Sequence, residues 1–102
     1  MPRRSLPGNV RTTVNVDNTS PFDVKVYWVD QGGQENLKRI LSAGETFSEG
    51  ATEGMLFHVV RDRDGISIGY LRVGKQAAWM SVLKLVAGES AGGLPTYDEA
   101  TI

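Results

Sequence analysis

The sequence predicts an all-β protein, an antiparallel two-sheet sandwich of six to seven strands. Three observations predict it. Short segments rich in Val, Ile, Tyr, Phe and Trp recur between residues 11 and 88. Within them apolar and polar residues alternate, as a half-buried strand requires, because successive side chains point to opposite faces of a sheet. Gly and Asp/Asn clusters separate the segments about every 8–12 residues, the spacing of sandwiches and barrels. No segment carries a helical stripe.

Thr12 to Asn18 alternates, with Val14 and Val16 facing inward. Phe22 to Asp30 repeats the pattern, with Phe22, Val24, Val26 and Trp28 on one face. Asn18-Thr19-Ser20-Pro21 between them reads as a turn, because Pro fixes φ and the short polar side chains bond locally to backbone. These two strands are therefore expected to pair as a hairpin. Gln31-Gly32-Gly33-Gln34 closes the second strand. Leu37 to Leu41 is the third, ended by the turn Ser42-Ala43-Gly44-Glu45, and Thr46-Phe47-Ser48 is a short fourth. Gly54 to Arg61 is the most apolar strand and is expected to be central. Arg63-Asp64-Gly65 turns it into Ile66 to Val73, Asp-Gly supplying the positive φ of a tight hairpin. Trp79 to Val86 is the last strand, ending at Ala87-Gly88. Residues 1–10 read as a flexible leader, 11–88 as the sandwich and 89–102 as a flexible tail with little to bury.

Composition excludes more than it assigns. The 102 residues hold 11 Lys+Arg and 12 Asp+Glu, a formal net charge of -1. That balance gives no basic field for nucleic acid or an anionic bilayer, so neither is an expected partner. No run reaches the roughly 18 apolar residues that cross a membrane. With no cysteine, there is neither a disulfide nor a thiolate, which fits a reducing, cytoplasmic setting better than secretion. His58 is the single histidine, so no metal or nucleophile frame is visible around it. Asp62-Arg63-Asp64-Gly65 lacks the later ligands of a calcium loop. Asn18-Thr19-Ser20 is a glycosylation sequon, but Pro21 follows it and its use is not expected. No carboxylate pair has catalytic spacing. An enzyme, a cofactor and a bound metal are accordingly not expected.

Val16-Asp17-Asn18-Thr19-Ser20-Pro21, then Val24-Lys25-Val26-Tyr27-Trp28, a Gly turn, a leucine before Gly44, and Gly54 leading into Leu56-Phe57-His58-Val59 with Arg61-Asp62 form a joint pattern. It resembles the β domain of the von Hippel-Lindau tumour-suppressor family over about residues 12–88. The resemblance implies a β-sandwich that holds a hydroxyproline-bearing peptide between two aromatic rings, with Tyr, Ser and His bonding the hydroxyl and the peptide backbone. Trp28 stands at the first aromatic position and Phe57 at the second. The three polar positions fall on or beside Lys38, on Ala51 and on Met55, which lack those donors and acceptors. Discrimination of hydroxyproline from proline by hydrogen bonding is therefore not implied for this chain. An apolar peptide groove of Trp28, Lys38, Ala51, Met55 and Phe57 is what carries over, against the plainer reading that Trp28 and Phe57 are core aromatics. The helical domain through which the family recruits elongin and a cullin is expected to be absent.

The tail carries a second motif. Leu94-Pro95-Thr96-Tyr97, followed by Asp98-Glu99, resembles the Leu-Pro-x-Tyr ligands of WW domains in ubiquitin ligases. Pro95 preorganises an extended polyproline II turn, and Tyr97 can enter a second pocket. Leu94, Pro95 and Tyr97 are the WW-docking candidates, and a solvated tail or an edge cover is the alternative. The C-terminal Ala100-Thr101-Ile102 lacks the hydroxyl residue two positions from the end that a PDZ groove would read. Together these readings predict a non-enzymatic protein- or peptide-binding module, an adaptor whose tail docks a WW-domain ubiquitin ligase. A small-ligand or carbohydrate-binding sandwich and a structural subunit are the other expectations.

Overall fold

A computed structural model describes residues 4–82 and 99–101 of the chain. Its strands are β1 (Arg11–Asp17), β2 (Val24–Val29), β3 (Glu35–Leu41), β4 (Thr46–Thr52), β5 (Leu56–Arg61), β6 (Ser67–Arg72), β7 (Ala78–Ser81) and β8 (Glu99–Thr101). They form a three-stranded sheet in the order β4-β1-β7 and a five-stranded sheet in the order β3-β2-β5-β6-β8. The fold is the expected all-β sandwich, and β5 is central to its larger sheet. Most neighbours are antiparallel, but β7 runs parallel to β1 and β8 parallel to β6.

The core lies between the sheets. Val14 and Val16 of β1, Phe47 and Ala51 of β4 and Met80 of β7 meet Val24, Val26, Leu41, Phe57, Val59 and Leu71 from the larger sheet. The alternation in β1 and β2 anticipates these positions, and Phe22 and Trp28 pack against the same cluster while remaining partly exposed. Each fully buried aliphatic side chain contributes about 1.5–3 kcal/mol of transfer free energy. Phe57 meets Phe47 across the layer, with ring centroids 6.3 Å apart in an edge-to-face arrangement.

The expected β1–β2 hairpin is not formed. β1 pairs with β4 and β7, and β2 pairs with β3 and β5, so residues 18–23 carry the chain from one sheet to the other. The physical reason lies in the turn. A tight hairpin needs left-handed residues, whereas Asn18-Thr19-Ser20-Pro21 contains no glycine and no residue of positive φ. Asn18, fully buried, instead spends its side chain on the neighbouring corner. Its Nδ2 donates to the carbonyls of Phe22 (2.9 Å), Leu41 (3.1 Å) and Ser42 (3.1 Å). Its Oδ1 accepts from the Ser20 amide (3.2 Å) and hydroxyl (2.5 Å). Its backbone joins the same corner, Asn18 N–H donating to Glu45 O and Gly44 N–H to Asn18 O. The sequon asparagine is thus a structural bolt with its amide nitrogen in use.

β4 is longer than the expected three residues, because β1 pairs with it from Asp17↔Thr46 to Arg11↔Thr52. Tertiary pairing there overrides the low strand preference of Glu49 and Gly50. The β5–β6 hairpin forms as the Asp-Gly signal predicts: Gly65 has φ of 71° and its amide bonds Arg61 O at 2.8 Å. Asp64 closes the loop through a two-point contact with Arg61, Nε to Oδ1 at 3.0 Å and Nη2 to Oδ2 at 2.6 Å. Of the last expected strand, Ala78–Ser81 is observed and residues 83–86 lie outside the described residues. Of the expected tail, Glu99–Thr101 forms β8, with Tyr70↔Glu99, Leu71↔Ala100 and Arg72↔Thr101 in register.

Asn18→Ala removes a side chain that satisfies three carbonyls, and orphaned buried groups cost about 1–3 kcal/mol each at most. A loss of roughly 2–4 kcal/mol is expected in urea unfolding followed by fluorescence. Two carboxylates give the acid limb of stability. The Ser42 backbone N–H and then its side chain hold the Glu45 carboxyl below its usual value, and the Arg61 hydrogen bond does the same for Asp64. Carboxylates with lowered pKa contribute fully above the unfolded value, about 4, and lose that contribution as pH falls through the folded one. Tm should therefore fall below about pH 4, and by less in the Glu45→Gln/Asp64→Asn double variant than in the parent.

Candidate functional site

Residues 5–8, from the expected leader, lie across one end of the sandwich. Ser5 is buried, its amide donating to Asp30 O at 3.1 Å. Its hydroxyl donates to Val29 O at the end of β2 and accepts from the Leu56 amide at the start of β5, at 2.8 Å. Leu6 N–H donates to Gly54 O at 2.8 Å. Gly54 has φ of 88°, and a Cβ there would stand 2.5 Å from the Leu6 carbonyl oxygen, so both backbone conformation and close approach call for glycine. Arg72 Nη1 adds hydrogen bonds to the carbonyls of Arg4 (2.7 Å) and Gly54 (3.0 Å).

This crossing builds a cavity of about 200 Å³ lined by Ser5, Leu6, Gly8, Trp28, Gln31, Thr52, Glu53 and Met55. Two of the sequence-derived groove residues, Trp28 and Met55, meet in it. Trp28 brings an unusual feature: among the described residues, its indole Nε1 is the buried side-chain polar atom with no hydrogen-bond partner. The other groove residues are placed elsewhere. Phe57 is fully buried in the core, Ala51 is buried on β4, and neither lines the cavity. Lys38 lies on β3, where its Nζ pairs with Glu49 of β4 at 3.1 Å. Leu94, Pro95 and Tyr97 lie outside the described residues.

Sequence reasoning set His58 aside for want of partners, and the fold supplies them. Glu35 Oε2 stands 2.8 Å from His58 Nδ1, and Ser67 Oγ stands 2.7 Å from His58 Nε2. The three residues come from β3, β5 and β6 and share the outer face of the larger sheet, Glu35 reaching over β2. The His58 ring is buried and stacked on Tyr70, with centroids 4.1 Å apart and planes 4° from parallel. With 23 and 9 residues separating the partners from His58, only strand register could have joined them. Among the described residues no group of three His, Asp or Glu side chains could hold a metal ion, and no helix is long and apolar enough to cross a membrane.

No protein-family model matches the chain, and no curated protein matches it.

Ser5→Ala would leave the Val29 carbonyl and the Leu56 amide without their buried partner. The expected loss is about 1–3 kcal/mol in chemical unfolding, with Trp emission shifting as the cavity wall loosens.

Proposed function

We propose that this protein is a peptide-binding β-sandwich module, and that it serves as an adaptor whose C-terminal motif docks a WW-domain ubiquitin ligase. The observation that carries the reading is the open cavity that Trp28 and Met55 line together. An extended peptide can lay an apolar side chain into the cavity beside Trp28 and Met55. Trp28 and Met55, two of the five positions that the resemblance to the von Hippel-Lindau β domain marks, lie in this cavity. Of Lys38, Ala51 and Met55 at the family's polar positions, Met55 is the one that lines the cavity, and it favours a plain apolar or proline-containing peptide over a hydroxylated one.

The ligase-docking half rests on Leu94-Pro95-Thr96-Tyr97 alone.

Two measurements test the reading. Proline-containing peptides should quench the emission of the parent and fail to do so in Trp28→Phe, whereas a response to small sugars or metabolites with none to peptides would make this a small-ligand site. Binding to a panel of WW domains should weaken at least tenfold in Tyr97→Ala. Equal binding by parent and variant would remove the adaptor role.

A further inference from the structure

Glu35, His58 and Ser67 form an acid–base–hydroxyl line on the outer face of the larger sheet, away from the peptide cavity. An ionised Glu35 can only accept a hydrogen bond, so the 2.8 Å contact places the ring proton on Nδ1. Nε2 is then the acceptor for the Ser67 hydroxyl at 2.7 Å. This is the geometry by which a carboxylate fixes the tautomer of a histidine and the histidine draws the proton from a nucleophile. The base and the hydroxyl differ in access as that chemistry requires: His58 is 8% exposed, while Ser67 is open to solvent. The stack on Tyr70 holds the imidazole plane fixed.

Ser67 also lines a separate cavity of about 250 Å³, whose other walls are Phe22, Arg61, Ile66 and Ile68. Three of these are apolar and suit a short acyl chain. The fourth is a cation: Arg61 lies 5.8 Å from the Phe22 ring centroid, with its Nε and Nη2 held by Asp64. Ser67 is thus the residue shared by the acid–base line on the outer face and this largely apolar cavity.

We propose that Ser67 is an activated nucleophile and that this site hydrolyses esters of short apolar carboxylic acids. Ser67 Oγ bonds to the acyl carbon as its proton passes to His58 Nε2. The tetrahedral intermediate collapses with cleavage of the bond to the leaving oxygen. That oxygen takes the proton from Nε2 and departs as the alcohol. Water then attacks the acyl-Ser67 ester, gives its proton to Nε2, and the proton returns to Oγ as the carboxylic acid leaves. The sum is ester plus water to acid plus alcohol. Ser67 and His58 are catalytic residues, and Glu35 is a positioning residue acting through His58.

The test uses the full chain and two probes, a biotinylated alkyl fluorophosphonate and 4-nitrophenyl butyrate. Peptide mapping should place the phosphonyl group on Ser67, with fluoride lost, and Ser67→Ala should abolish labelling. Ser67 is exposed, so this variant keeps the fold, which its melting curve checks. Glu35→Gln should lower kcat for the butyrate on the order of 10²-fold, the scale of one acid–base contribution, with KM unchanged. Absence of labelling, labelling spread over lysines and tyrosines, or labelling and hydrolysis that survive Ser67→Ala would each overturn the proposal.

Discussion

The sandwich hinges on one buried amide. Asn18 sits where the chain leaves the smaller sheet, and it binds the carbonyls that end β3 and open the following turn. Two crossings between the sheets, residues 18–23 and 42–45, are thereby fastened to each other. A buried polar side chain normally costs stability unless every donor and acceptor is answered. Here they are answered by backbone groups that would themselves be orphaned at a corner where ladder pairing stops. The same bolt sets the relation of β1 to β2, and so the face on which Val14 and Val16 meet Val24 and Val26.

That corner also shows what could be read from the residues and what could not. Strand positions and inward faces were legible, because burial of one face imposes a period of two that Val14/Val16 and Val24/Val26 display plainly. The Asp64-Gly65 hairpin was legible because its backbone needs a left-handed residue that the sequence supplies. Pairing across the 18–21 turn was not. Local turn chemistry says that the chain changes direction and leaves open whether it returns to the same sheet. Parallel neighbours such as β1 with β7 were hidden for the same reason: no local signal records which distant strand completes a sheet.

The site was legible in part. Trp28 and Met55 do share a cavity, while Phe57, directly opposite Trp28 on the neighbouring strand, is fully buried in the core. The alternation that marks Phe57 as apolar cannot distinguish an aromatic that lines a groove from one that supports it. The contribution of Ser5 was invisible, since a serine in a Pro- and Gly-containing stretch has no periodicity to betray its burial. Likewise the surroundings of His58 follow from register. Tyr27↔His58↔Tyr70 is one row of the ladder, and Glu35 and Ser67 reach the ring from strands on either side.

The placement of β1 has a kinetic consequence. The first strand of the chain is sandwiched between β4 and β7, so its second edge is left open until residues 78–81 have been made. During synthesis, Val14 and Val16 would wait with half of their sheet missing, which exposes an apolar ribbon to other chains. Closure by such distant pairings carries a large loop entropy and places folding on the millisecond-to-second scale of non-local β topologies. On a ribosome the smaller sheet would be completed only after the β2–β3 and β5–β6 hairpins have already assembled most of the larger one, with β8 joining that larger sheet last.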